Sequence, residues 1–180
     1  MNSFYSQDEL LSIGFRTFGD HVLISRNAKF YGQSDIVIGN NVRIDDFCIL
    51  SGKITLGSNI HISSFCALYG AYGIEMEDYT GLSPRCTVLS ASDDFSGNFL
   101  IGPIVEDKLT NVTGGKVMIK RFSQIGACCV ILPNLTIHEG VAVGAMSFVN
   151  DSLAEWSIYS GIPAKKMKDR ERGLLELIGR

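Results

Sequence analysis

From Ile38 onward the chain places an aliphatic side chain at every sixth position. The series runs Ile38, Ile44, Leu50, Leu56, Ile62 and Leu68, slips by two residues, and resumes at Met76, Leu82 and Val88. After a long interruption it returns as Ile119, Ile125, Ile131, Ile137, Val143 and Val149. Four residues after an aliphatic site the chain is small or apolar, as at Val42, Cys48, Ile54, Ile60, Cys66, Thr80, Cys86, Ser123, Cys129, Leu135, Val141 and Ser147. Gly39, Gly57, Gly126 and Gly144 directly follow an aliphatic site. Asn40, Asn41, Asp45, Asp46 and Asn59 fall where a chain of this period must turn, and such residues tolerate left-handed backbone.

A period of six with one inward side chain is a short strand followed by a corner. Three such units close a triangular coil, and stacked coils bury a continuous core that no single coil has. The pattern predicts an all-β parallel solenoid with coils starting at Ile38, Leu56, Met76, Ile119 and Ile137. A less regular first coil is expected over Val22–Val37, with Ile24, Phe30 and Ile36 inside. The open ends of a solenoid expose unpaired strand edges and need covers. Ser6 and Glu9, ahead of Leu10, Leu11 and Ile13, read as a capping box on a short helix stopped at Gly14. At the other end Pro163, the basic stretch Ala164–Arg172 and the apolar Leu174, Leu175, Leu177 and Ile178 predict a closing helix. One domain of 180 residues results. Its cap covers 1–21, its β-helix 22–152 with a loop at 94–118, and its second cap 153–180.

Composition narrows the function. Sixteen Lys and Arg against nineteen Asp and Glu leave a net charge of −3, which argues against a general nucleic-acid or anionic-membrane surface. Charged residues are 19% and hydrophobic ones 46%, which excludes disorder. No apolar run has the length of a membrane span, and the N-terminal residues have neither the basic nor the apolar region of a secretory signal. The five cysteines are odd in number and show no C-x-x-C spacing, so a reducing cytoplasm is expected. Cys48, Cys66, Cys86 and Cys129 take the small interior position and read as buried hydrophobes, while Cys128 should face outward.

The hexads, with Ile125-Gly126-Ala127, with Val143 to Val149, and with Gly161-Ile162-Pro163-Ala164-Lys165, resemble the hexapeptide-repeat acyltransferases. That resemblance implies a left-handed parallel β-helix, a hand that the general preference of parallel crossovers would not have suggested. Asn41 to Cys48, Ser92 to Gly97 and Ile158 to Pro163 look closest to the N-acyltransferases that modify dTDP-4-amino-4,6-dideoxyglucose for surface polysaccharides. The resemblance implies a homotrimer with active sites between subunits. It also implies a short acyl-CoA such as acetyl-CoA as co-substrate, a nucleotide-sugar acceptor and no metal. By carry-over, Ala127 and Ala145 lie along the pantetheine, and Lys165 and Lys166 are candidates for the CoA phosphates. Corner packing for the alanines and a solvated helix for the lysines are the plain alternatives.

Many relatives carry S-x-S-H-D just before the long loop; here the stretch is Ser90-Ala91-Ser92-Asp93-Asp94. A hydroxyl acceptor needs a general base, worth about 10²–10⁴-fold. A neutral amine already has its lone pair and needs chiefly proximity and alignment. Aspartate in place of histidine therefore favours N-acylation. Asp93 is the first candidate to hold the amine or take its proton, Asp94 the second, and Ser83 a third polar group; the plain alternative for the two aspartates is a turn that opens the loop. The 94–118 segment is expected to close over the acceptor, with Phe95 among its contacts and Tyr72, beside the two-residue slip, stacking on thymine. His21, His61 and His138 show no spacing of a zinc hydratase, and His61 and His138 should point to solvent. An O-acetyltransferase or a non-catalytic scaffold are the remaining alternatives.

Overall fold

The computed structural model describes residues 3–178 and shows a three-sided parallel β-solenoid. One face stacks Leu23–Ile24, Val42–Ile44, Ile60–Ile62, Gly81–Leu82, Gln124–Ile125, Ala142–Val143 and Ser157–Ser160. The second stacks Lys29–Tyr31, Thr87–Leu89, Val130–Ile131 and Phe148–Val149, and the third Thr17–Phe18, Ile36–Ile38, Val117–Ile119 and Thr136–Ile137. The long strands Ile49–Leu56 and Ala67–Met76 bend round a corner and serve both of these faces.

Register follows the sequence period throughout. Ile38 pairs with Leu56, Leu56 with Met76, Met76 with Ile119 and Ile119 with Ile137. Neither the two-residue slip nor the long interruption shifts the stack. All fifteen aliphatic sites of the hexad series are at most 4% exposed. They form one core cluster, so each rung is held chiefly by burial against the rungs above and below.

The first coil begins earlier than the hexads suggest. Phe18 pairs with Ile38, Ile24 with Ile44 and Phe30 with Leu50, whereas Ile36 pairs with Ile54. The rung is thus Phe18, Ile24 and Phe30, and the solenoid starts at Thr17.

Three residues past most inward aliphatics the backbone is left-handed. Asn41 and Asn59 take this position as their type suggests, but so do Phe47, Phe65, Tyr79, Arg85, Phe122, Cys128 and Met146. A non-glycine residue there costs roughly 1–2 kcal/mol, and the aromatic side chains and Arg85 offset it by stacking between rungs. Phe47 lies on Phe65 with centroids 5.0 Å apart, Arg85 sits 5.7 Å over Phe65, and Tyr79 stacks on Phe122 at 5.5 Å. Asn40, Asp45 and Asp46 are not left-handed; they serve as side-chain hydrogen-bond partners within the corners.

The N-terminal cap is the helix expected, Gln7–Ile13, with the reciprocal Ser6–Glu9 capping box and Gly14 at φ 87°. Leu10 seals the first coil, and Glu9 also receives both terminal nitrogens of Arg26, at 2.7 and 2.6 Å.

The C-terminal helix is present but shorter than expected, and the basic stretch before it is not helical. Lys165–Asp169 is a strand, antiparallel to Ser157–Ser160, and helix is confined to Leu174–Ile178. The physical reason is the open edge of the last parallel strand: folding back satisfies it, and lysines on the new edge discourage further pairing. Arg170 then turns inward and donates to the carbonyls of Phe122, Gly140 and Val141.

Candidate active site

Two groups of the expected site residues emerge, on two different edges of the prism. The first edge carries Ser83, Ala127 and Ala145. The Cys128 N–H donates to the Pro84 carbonyl at 2.9 Å and the Met146 N–H to the Ala127 carbonyl at 2.8 Å, so successive rungs sit directly on one another. A Cβ at Gly126 would lie 2.5 Å from the Ala145 nitrogen, so only glycine permits this spacing. The small side chains leave the backbone of these rungs open along the edge. Lys165 stands at the end of this edge: it pairs in register with Ser160, whose hydroxyl lies 2.8 Å from where a Gly144 Cβ would be. Lys166 is exposed and bound to Asp169 at 2.7 Å, which raises its pKa. Lys165 is exposed, with no ion pair among the described residues.

The second edge carries the inserted segment. Its two ends form an antiparallel ribbon, Ala91–Asp93 against Val112–Gly114, so the irregular part is shorter than the expected 94–118. Asp93, opposite Val112, lines a pocket of about 260 Å³ with Ala91, Ser92, Gly102, Pro103, Asp107 and Thr110. Two carboxylates, Asp93 and Asp107, thus share one concavity. Asp94 is engaged otherwise. Hydrogen bonds from Ser96 and from the Asn111 amide hold its carboxyl below the usual carboxylate range, and they clasp the two sides of the loop. That geometry suits a loop tie rather than a proton acceptor.

Tyr72 is half-exposed and stands beside the ribbon, its hydroxyl donating to the Val112 carbonyl at 3.4 Å. Phe95 is 79% exposed and outside the pocket lining. Ser83 lies across the Arg85 corner and the strand Thr87–Leu89 from Asp93, so one chain does not bring them together. Sequence reasoning missed Asp107 and Ser90. Nothing in the sequence marks Asp107 beyond its place in the loop, whereas Ser90 stands at the head of the Ser-x-Ser pattern.

The histidines stay away from both edges' chemistry. His21 and His138 are exposed, and His61 places Nε2 2.7 Å from Asp45 Oδ2, while Arg43 binds the other oxygen of the same carboxylate. Four cysteines form a buried column, each thiol donating to a backbone carbonyl, for example Cys66 to Ser83 at 3.2 Å and Cys86 to Gly126 at 3.1 Å. Cys128 is exposed on the alanine edge.

A hexad solenoid with a small-residue edge, a terminal lysine and an acid-lined inserted ribbon has the construction of a hexapeptide-repeat acyltransferase. Comparison with known proteins makes this specific, although no family profile matches the chain. It is 38% identical over 178 residues to the dTDP-4-amino-4,6-dideoxy-D-glucose acyltransferase of Escherichia coli, covering 97% of this chain and 93% of that protein. A crystal structure of AntD, an N-acyltransferase from Bacillus cereus, in complex with dTDP and 3-hydroxybutyryl-CoA superposes with a TM-score of 0.97 at 55% identity, covering 99% of this chain and 96% of that one. A serine variant of AntD, solved with dTDP-4-amino-4,6-dideoxyglucose and coenzyme A, gives 0.98 at 54% identity over 99% and 97% of the two chains. A maltose O-acetyltransferase from Clostridium difficile, at 22% identity and a TM-score of 0.60 over 92% of this chain and 75% of that one, shares the fold alone. The chain belongs to the dTDP-4-amino-4,6-dideoxyglucose N-acyltransferases.

Proposed function

We propose that this protein transfers a short acyl group from acyl-CoA to the 4-amino group of dTDP-4-amino-4,6-dideoxyglucose, in the cytoplasm, for a surface polysaccharide. The observation that carries the reading is the aspartate at position 93, where the family pattern S-x-S-H-D would put histidine, in a chain that matches amine acylators over almost its full length. Its five cysteines are unpaired, as a reducing compartment requires.

In the reaction, the neutral amine attacks the thioester carbonyl, and a C–N bond forms as the carbonyl oxygen takes up negative charge. Collapse breaks the C–S bond and releases the CoA thiolate. Asp93 accepts a hydrogen bond from the amine, aligns its lone pair and takes the proton that the new amide sheds. Alignment of this kind is worth several kcal/mol. Ser83 supplies a second polar contact to the reacting atoms. Ala127 and Ala145 give the pantetheine its track, and Lys165 meets the CoA phosphates.

The assembly is a homotrimer in which the Ser83 edge of one subunit faces the Asp93 ribbon of the next. The apolar tip of the inserted segment supports this: Phe99, Leu100 and Ile101 are 42–55% exposed and Ile104 is 98% exposed, a patch that suits burial against a second copy.

The test is thiol release from acetyl-CoA and from 3-hydroxybutyryl-CoA, with dTDP-4-amino-4,6-dideoxyglucose as acceptor beside its 4-hydroxy counterpart. Turnover with the amine alone is expected. Turnover with the hydroxyl sugar, or with neither, overturns the reading.

A further inference from the structure

Where the inserted segment leaves the prism, Ser90 is completely buried and its hydroxyl is fully used. The hydroxyl donates to the Tyr69 carbonyl at 2.9 Å and accepts the Tyr72 N–H at 2.9 Å. Its backbone N–H reaches the same Tyr69 carbonyl at 3.0 Å, and its own carbonyl accepts the Gly115 N–H at 3.0 Å. Three stretches therefore meet at one residue: the two-residue slip of the coil below, the outgoing strand Ala91–Asp93, and the return through Gly114 and Gly115. The joint is tight as well as bonded. A Cβ at Gly114 would fall 2.3 Å from the Ser90 carbonyl oxygen and 2.8 Å from the Tyr72 ring.

We infer that Ser90 is a positioning residue for acyl transfer: its hydroxyl ties the Tyr72 slip to the root of the ribbon and so sets the aim of Asp93, three residues on. The inference rests on the role proposed for Asp93. Physically, alanine at 90 leaves the Tyr72 amide without its acceptor, and a buried donor left unpaired drives local rearrangement. The slip and the ribbon share that joint, so both shift. A displacement of about 1 Å at a reacting group costs up to 10²-fold. The Ala127–Ala145 edge lies beyond the intervening face and is not touched.

The experiment is a kinetic cycle on the intact protein with Ser90→Ala, Asp93→Asn and the double variant, together with Ser90→Thr, which keeps the hydroxyl. Ser90→Ala is expected to lower kcat about tenfold and leave coenzyme A affinity by calorimetry unchanged. In the Asp93→Asn background it should lower kcat by less than about twofold, because the aimed group is already gone. Ser90→Thr should recover most of the loss. Amide hydrogen exchange in Ser90→Ala should rise at 91–93 and 112–114 and not in the stacked strands. Gly114→Ala, which crowds the same joint, should give the same pattern. Equal losses in both backgrounds, or weakened coenzyme A binding with faster exchange throughout the prism, overturn the positioning role. If Asp93→Asn alone leaves turnover intact, the reading of Asp93 fails, while the exchange pattern still judges the Ser90 joint.

Discussion

Ser83 and Asp93 belong to the same coil but stand on different edges of the prism, with the Arg85 corner and the strand Thr87–Leu89 between them. A site that uses both must draw them from two subunits. Ser83→Ala and Asp93→Asn should each reduce turnover when expressed alone. Co-expressed in equal amounts, they should regain roughly a quarter of wild-type activity, because random assembly leaves that share of sites with both natural residues. Measured activity of the purified mixed assemblies checks this, and no recovery would falsify the shared site.

Glu9 is drawn down to about 2 from an ordinary value of 4.5, chiefly by the Arg26 guanidinium and then by the Ser6 hydrogen bonds. Because the folded pKa is the lower one, the cap's contribution is complete above about 4.5 and fades as pH falls toward 2. Acid titration followed by amide exchange should show the N-terminal helix loosening in that window. Glu9→Gln should remove this pH dependence and leave the helix looser at neutral pH.

Arg170 is partly buried, and burial lowers its pKa, yet its guanidinium holds the carbonyls of Phe122, Gly140 and Val141. Arg170→Ala should destabilise the protein by about 1–3 kcal/mol, since carbonyls at the last corners lose their donor. Arg170→Lys should recover only part of the loss, because all three bonds come from Nη1 at the tip of the side chain and the shorter lysine carries its ammonium less far. Urea denaturation at neutral pH gives both numbers; a loss below about 0.5 kcal/mol, the scale of ordinary surface changes, would count against the capping role.

Cys128 is exposed between Ala127 and the buried Cys129. A maleimide should label one thiol per native chain, at Cys128, and stop turnover. Saturating coenzyme A should slow the labelling. Mass spectrometry and residual activity report both, and unaffected turnover in the labelled protein would remove the alanine edge from the CoA track.

The hexads were legible because every rung repeats one demand, an aliphatic side chain facing the axis. The corners were less so. Asparagine at 41 and 59 signals left-handed backbone by its own chemistry, but Phe47, Phe65 and Tyr79 occupy it because of rings stacked on neighbouring rungs, a contact between distant residues. The strand Lys165–Asp169 escaped for a related reason: its local sequence reads as a basic helix, and only the open edge of Ser157–Ser160 dictates otherwise. Among the candidate site residues, Asp93 was picked out by its place in a family pattern and Ser83 by its coil position after Leu82. Ser90 and Asp107 have their positions set by a joint and a pocket that exist only once the ribbon has folded back.

Val88 and Ile131 are direct neighbours in register although the whole inserted segment lies between them. The scaffold is therefore indifferent to what leaves and returns at this point, provided that Ser90 and Gly115 still meet. The stacked rungs and the excursion are thus separate stretches of chain, joined at Ser90 and Gly115. Such a molecule can exchange one excursion for another, as a tool changes its bit, while every stacked rung stays as it was.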